Sequence, residues 1–213
     1  MIRACLPELL DSLPPDHPDA LHNRRDLRLI NRIMRNREWF ERELPPLMRE
    51  GDCALEVGAG TGELGRRLNR QGLPVDGLDL WPRPEGWPPD REWHCADLKT
   101  CDRIERYPVI IGNLIFHQFS DVELAGIGKR LRKARLILAC EPARRRRWQV
   151  VMRALGPLFG ANHVTLHDAQ VSVTAGFRGD ELPRALGLAN GEWYYSCEST
   201  ALGATRMVAI RIL

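Results

Sequence analysis

The residues of this 213-residue chain best suited to chemistry stand in a consistent order along it. Gly58, Gly60 and Gly62, with Ala59 and Thr61 between them, end a short apolar run (Cys53 to Val57), and a helix-forming segment follows at once. Strand, glycine turn and helix together present bare backbone N–H groups to a ligand. Glu56 lies just ahead of the glycines, placed to hold the turn or to meet a ligand's ammonium group. Asp79 closes a second apolar run about 20 residues later, where a carboxylate at a strand end can accept both hydroxyls of a ribose. Asp97 follows a third stretch that reads as a strand, REWHC. His117 comes just after PVIIGNL, and its ordinary pKa of about 6.5 suits a general base at neutral pH. A second histidine, His167, stands next to Asp168 in HDAQVSV, and Asp168 could orient either ring.

These groups work together only if the chain gathers strand ends at one edge of a sheet. Residues 54–57, 75–80, 91–95, 108–114 and 135–140 read as strands, and 108–114 is apolar and β-branched enough to be buried on both faces. Residues 62–69 and 121–133 read as helices, the second with Ser120 and Glu123 spaced for a capping box. The proline-rich stretch 81–90 can be neither helix nor central strand. Alternating strands and helices imply right-handed βαβ units and a parallel sheet. The end of the chain differs: residues 192–200 and 205–213 are two strands separated by a short turn, hence an antiparallel hairpin.

Ahead of the sheet, residues 1–20 are broken by Pro7, Pro14, Pro15 and Pro18, which predicts an irregular arm or one short helix. Residues 21–48 turn helical, with Leu27, Ile30, Ile33 and Met34 as an apolar face that Trp39, Phe40, Leu44 and Leu47 continue. The expected fold is α/β: a doubly wound, mainly parallel seven-stranded sheet with an antiparallel C-terminal hairpin under an N-terminal helical cover. Residues 1–50 form the arm or lid and residues 51–213 the binding domain.

Bulk properties remove several classes. A formal net charge of +3 does not call for a nucleic-acid partner, although Arg144 to Arg147 concentrate positive charge. That run reads as the solvated start of a helix or as a contact for an anionic or membrane-associated substrate. No apolar run is long enough to span a membrane, and the first residues lack the apolar core of a signal peptide, so a cytoplasmic location is expected. The cysteines (5, 53, 95, 101, 140, 197) show no CxxC pair and no zinc spacing, which predicts reduced thiols and no metal.

A dinucleotide fingerprint starting at Gly58 needs a glycine at position 63, which is Glu63, and no Gly-Lys-Ser/Thr exists for a P-loop. The spacing G-x-G-x-G in Glu56-Val57-Gly58-Ala59-Gly60-Thr61-Gly62 instead resembles the first motif of class I S-adenosylmethionine-dependent methyltransferases. Asp79, Ala96-Asp97-Leu98, the stretch Asn113 to Asp121 and the terminal hairpin resemble later parts of that family, in order, over roughly residues 52–213. His167-Asp168 before V-S-V, with Phe177 and Glu181-Leu182 beyond, resembles its bacterial quinone- and polyketide-type members.

The resemblance implies S-adenosylmethionine as cofactor and S-adenosylhomocysteine as product. Gly58, Ala59, Gly60, Thr61 and Gly62 would meet the methionine part, with Glu56 beside it, and Asp79 the ribose. Leu80 and Trp81 would lie by the adenine, Asp97 and Leu98 at its amine edge, and Asn113 and Leu114 beside the cofactor at the end of the fourth strand. His117, with His167 in reserve, would be the base in O-methylation of a phenolic or polyketide-like small molecule; Trp39, Phe40, Trp148 and Phe159 suit an aromatic or lipid-like acceptor, and core packing explains them equally well. The alternatives are a nucleic-acid methyltransferase and a non-catalytic binding subunit. Methylation of a base's amine usually goes with Asn/Asp-Pro-Pro-aromatic, and Leu114-Ile115 stand where those prolines would be. An NAD-dependent oxidoreductase ranks last because of Glu63.

Overall fold

The structure, a computed structural model, describes residues 2–14 and 17–212; Met1, Pro15, Asp16 and Leu213, and the side chains of Asp11 and Phe159, lie outside the described residues. A seven-stranded sheet runs β3-β2-β1-β4-β5-β7-β6, from β1 (Ala54–Val57), β2 (Val75–Asp79), β3 (Trp93–Cys95), β4 (Val109–Asn113), β5 (Leu136–Pro142), β6 (Trp193–Ser199) and β7 (Ala204–Arg211). β3, β2, β1, β4 and β5 are parallel, and β7 inserts antiparallel between β5 and β6. This is the expected sheet, hairpin included. The chain goes from β1 outward to β2 and β3, then returns to place β4 on the other side of β1. Loops leaving β1 and β4 therefore part in opposite directions and open a crevice at the carboxyl ends of the strands.

The strands read as unbroken apolar runs because both faces are covered. On one face Leu55, Val57, Leu78 and Ile110 join Phe116, Leu124, Ile127 and Phe177 in one core. On the other, Ala54, Val109, Ile111 and Leu138 join Leu64, Leu68, Met34, Trp39, Phe40 and Leu44. The helices are α1 (Pro18–Met34), α2 (Asn36–Glu43), α3 (Glu63–Arg70), α4 (Asp121–Leu131), α5 (Arg146–Leu155), α6 (His163–Ala175) and α7 (Glu181–Ala185). The capping box opens α4: the Ser120 hydroxyl accepts from the Glu123 N–H, and the Glu123 carboxylate accepts from the Ser120 N–H.

The N-terminal cover departs from its expected pattern. α1 and α2 break at Arg35, whose φ is 54°. Ile33 is 48% exposed, and the residues α1 buries are Ala20, Asn23, Asp26 and Met34. The reason is polar pairing at long range. Thr165 on α6 donates to Asp26 at 2.7 Å, and Asn23 reaches Asp168 at 3.5 Å, so this side of α1 meets hydrogen-bonding groups where its apolar spacing predicted oil. For Trp39 and Phe40, which could either line an acceptor pocket or pack the core, the fold takes the second: they are 3% and 0% exposed and stack edge-on in the core. Trp148 lies over Gly203. Among the described residues of the arm, Leu10–Ser12 form a 3-10 turn.

Candidate active site

The pairing register sets Val57 level with Leu78 and with Gly112, so Gly58, Asp79 and Asn113 emerge together at one edge. Gly58, Gly60 and Gly62 have φ of 65°, 55° and 69°, a region L side chains rarely adopt. A Cβ on Gly58 would lie 2.4 Å from the Ile115 side chain. The loop is pinned to the second strand. Ala59 N–H donates to the Leu78 carbonyl at 3.1 Å, and Gly60 N–H donates to Asp79 Oδ2 at 2.7 Å. Asp79 Oδ1 accepts from the Trp81 N–H at 3.0 Å. One carboxylate thus shapes both loops while staying partly open to solvent.

Around it, Thr61 is exposed, Leu80 is 70% exposed, and Trp81 carries the Arg24 guanidinium of α1 over its ring at 5.4 Å. Asp97 Oδ1 accepts the Lys99 N–H at 2.8 Å, and the Leu98 side chain belongs to the core. Glu56 is buried, and its Oε2 accepts the Gly65 N–H of α3 at 2.8 Å. Burial pushes the Glu56 carboxyl up to about 8, against the opposing pull of that N–H. This contact ties the end of β1 to the first turn of α3.

Asn113 closes a triangle of amides with the cover: it donates to Asn31 at 2.9 Å and accepts from Asn36 at 3.0 Å. Leu114 follows with φ 58°, a conformation that costs about 1–3 kcal/mol in a non-glycine residue. Its N–H is held by the Cys140 carbonyl at 2.8 Å.

His117 lies beyond this strained residue, in the 3-10 turn Phe116–Gln118, and is 4% exposed. Two carboxylates bracket it. Nδ1 meets Glu141 at 2.7 Å, and Nε2 meets Glu8 of the arm at 3.6 Å. Glu141, wholly buried at the end of β5, also accepts the N–H groups of Ile115, Phe116 and His117. Ser172 of α6 donates to Glu8. Burial alone would lower the His117 pKa, but the hydrogen bonds and charges of Glu141 and Glu8 outweigh it and push the ring up to about 9. Burial likewise opposes the ionised form of Glu8, and its bond to His117 overrides that, leaving Glu8 below the usual carboxylate range.

Neither glutamate figured among the expected site residues. Glu141 carried a readable signal, an acid at the carboxyl end of a buried strand, as at Asp79. Glu8 carried none, since only the folded arm sets it beside His117.

His167 is half-exposed on α6, with Nδ1 3.0 Å from Asp168 Oδ1. Asp168 is buried and clasps the arm, accepting the N–H groups of Leu9 at 2.7 Å and Leu10 at 3.1 Å. Arg3 fastens the arm's start, donating to the carbonyls of Phe119 and Ala175 and pairing with Asp121. The structure therefore brings His117 and Asp168 to the same stretch of arm. A cavity of about 200 Å³ lies there, lined by Cys5, Leu6, Glu8, His117, Val171 and Ala175 among others. Among the described residues no His/Cys/Asp/Glu cluster suits a metal.

The bracketed ring makes stability depend on pH. A histidine at about 9 in the fold and about 6.5 when unfolded contributes fully below pH 6.5, and the contribution is lost as pH rises through 9. Glu56, raised to about 8, acts in the same direction, full below its unfolded value of about 4.5 and lost as pH rises through 8. The urea midpoint is therefore expected to fall between pH 6.5 and 9, and His117→Asn to flatten the upper part of that fall. A midpoint constant across this window would contradict the bracketing.

Neither protein-family models nor curated proteins match the sequence. Solved structures do match the fold. The plantazolicin methyltransferase BpumL, in complex with a triazolic desmethylPZN analog and S-adenosylhomocysteine, aligns with TM-score 0.70 at 11% identity, over 96% of this chain and 93% of that one. A structure from work on the conversion of a disulfide bond into a thioacetal group during echinomycin biosynthesis aligns with TM-score 0.57 at 20% identity, over 83% and 80%. Magnesium protoporphyrin IX methyltransferase (ChlM) from Synechocystis PCC 6803, with bound S-adenosylhomocysteine, aligns with TM-score 0.51 at 17% identity, over 86% and 83%. With its β5-β7-β6 edge and its glycine loop at the switch point, the chain has the fold of the class I S-adenosylmethionine-dependent methyltransferases.

Proposed function

We propose that the chain is an S-adenosylmethionine-dependent methyltransferase of a small molecule, and that it methylates a hydroxyl of a phenolic or polyketide-like acceptor. The observation that carries this reading is the pinning of the left-handed glycine loop to Asp79, beside a switch-point crevice. The structural neighbours that hold S-adenosylhomocysteine support it. The residues present fit the cofactor. Gly58, Ala59, Gly60, Thr61 and Gly62 offer backbone and a hydroxyl to the methionine part, Asp79 a carboxylate to the ribose, and Leu80 and Trp81 exposed apolar surface to the adenine. Asp97 and the Leu98 backbone serve its amine edge, and Asn113 and Leu114 close the floor. When bound, the cofactor supplies a methyl on a sulfonium, an already activated electrophile.

The chain's own task is then to orient the acceptor and take its proton. His117 does this as part of a group. Between Glu141 and Glu8 the ring is held protonated at neutral pH, so His117 takes the acceptor's proton at Nε2 only after releasing its own to water, and Glu8, which lines the same cavity, orients that nitrogen. Residues 1–50 serve as the cover that completes the site, through Glu8 and the amides of Asn31 and Asn36, and residues 51–213 as the cofactor-binding domain. His167 contacts the acceptor or the arm from α6.

Millimolar S-adenosylhomocysteine is expected to raise the melting temperature, and NAD to leave it unchanged. No shift with S-adenosylhomocysteine would sink the reading. With phenolic acceptors, His117→Ala is expected to abolish formation of S-adenosylhomocysteine while its affinity stays near wild type. Unchanged turnover in that variant would remove the histidine from the mechanism.

A further inference from the structure

The arginine run is only partly explained by the fold. Arg144 is buried and pairs with Glu181. Arg145, Arg146 and Arg147 are exposed, as is Arg153 further along α5. No aspartate or glutamate occurs between Glu141 and Asp168. The first turn of α5 holds no acid, so the arginines oppose the helix dipole and do not serve helix stability.

Apolar residues stand outward among these charges. α5 buries none of its residues, Val150 is 65% exposed, and Leu155 and Leu158 are 44% and 78% exposed. α5 meets the body at α6 and, through Trp148, at Gly203, and exposed aliphatic side chains among arginines on its outward side are the composition of an interfacial helix. Single-stranded nucleic acid stacks on free aromatic faces, whereas Trp148 of α5 is half-buried against Gly203 and carries the Arg147 guanidinium over its ring.

We propose that α5 and the turn after it, Gly156–Phe159, dock on an anionic lipid bilayer. Arg145, Arg146, Arg147 and Arg153 meet headgroup phosphates, and Val150, Leu155 and Leu158 enter the boundary between headgroups and acyl chains. α6 ties this surface to the active-site region, since it packs on α5 and also carries Val171 and Ala175 of the cavity beside His117.

The test is co-sedimentation of the full chain with phosphatidylcholine vesicles, with and without phosphatidylglycerol. Binding is expected only with the anionic lipid, and it weakens as salt is raised. The double variant Val150→Asp/Leu158→Asp and the triple variant Arg145→Glu/Arg146→Glu/Arg147→Glu are each expected to lower partitioning by about tenfold or more. Melting temperatures near wild type show that the exposed substitutions leave the fold intact. Absence of wild-type binding to phosphatidylglycerol vesicles overturns the proposal. So does full vesicle binding by the aspartate variant, and so does tight, salt-dependent binding to a single-stranded RNA oligomer with none to vesicles.

Discussion

Replacing Glu141 with alanine is expected to destabilise the protein by about 3–5 kcal/mol, the cost of leaving a buried charge without its partner. The carboxylate is fully buried and accepts four hydrogen bonds. Ile115 N–H at 3.1 Å and Phe116 N–H at 2.9 Å meet Oε1, and His117 N–H at 3.2 Å and His117 Nδ1–H at 2.7 Å meet Oε2. Alanine strands these donors in the interior, and each unsatisfied one costs about 1–3 kcal/mol. It also removes the main support of the raised His117 pKa. Glu141→Gln keeps the volume but turns an amide N–H₂ toward N–H donors, so it falls between wild type and alanine. Urea unfolding at pH 7 measures the effect, and a loss below about 1 kcal/mol would mean that water or a relaxed turn satisfies the donors. Such a result would also remove Glu141 as the group that sets the tilt and charge of His117.

The second large effect is on binding. Asp79→Ala is expected to weaken S-adenosylhomocysteine by about a hundredfold or more, the loss of two hydrogen bonds to a charged group at about 1.5–3 kcal/mol each. Stability is expected to fall by only about 1 kcal/mol, because the Gly60 and Trp81 N–H groups that Asp79 accepts lie at the surface and can turn to water. Asp79→Asn keeps an acceptor for one of those N–H groups and separates loop shape from ribose binding. Calorimetric titration decides between the roles. If both variants bind S-adenosylhomocysteine as wild type does, Asp79 is a turn-holding residue and nothing more. Asp97→Ala serves as the comparison, with an expected loss of about tenfold.

The two residues differ in how they could be found. The place of Asp79 was legible because it follows from chain-local facts: a strand, its end, and a glycine turn at family spacing. Glu141 obeys the same rule at the end of β5, yet it holds a histidine, and only the β4–β5 neighbourhood shows this. Glu8 lies 109 residues from His117, and Asp168 accepts the backbone N–H groups of Leu9 and Leu10 across separations of 159 and 158. No pattern in the sequence encodes contacts of that range.

What the sequence by itself determined is the sheet and its loop. Strands covered on both faces must be continuously apolar, positive φ calls for glycine, and a capping box is a local hydrogen-bond pair, so β1, β2, β4, β5, the turn at Gly58–Gly62 and the start of α4 could all be read directly. The edge strand β3 shrank to Trp93–Cys95 because Glu92 gives its N–H to the Asp76 side chain. What only the tertiary structure decided is the polar underside of α1 and the surroundings of His117. Both depend on pairs of charged and amide groups distant in sequence, whose free energy exists only once burial removes the water that would otherwise satisfy them. The place of His117 after a strand could be read from the sequence; its protonation, and the carboxylates that govern it, belong to the fold.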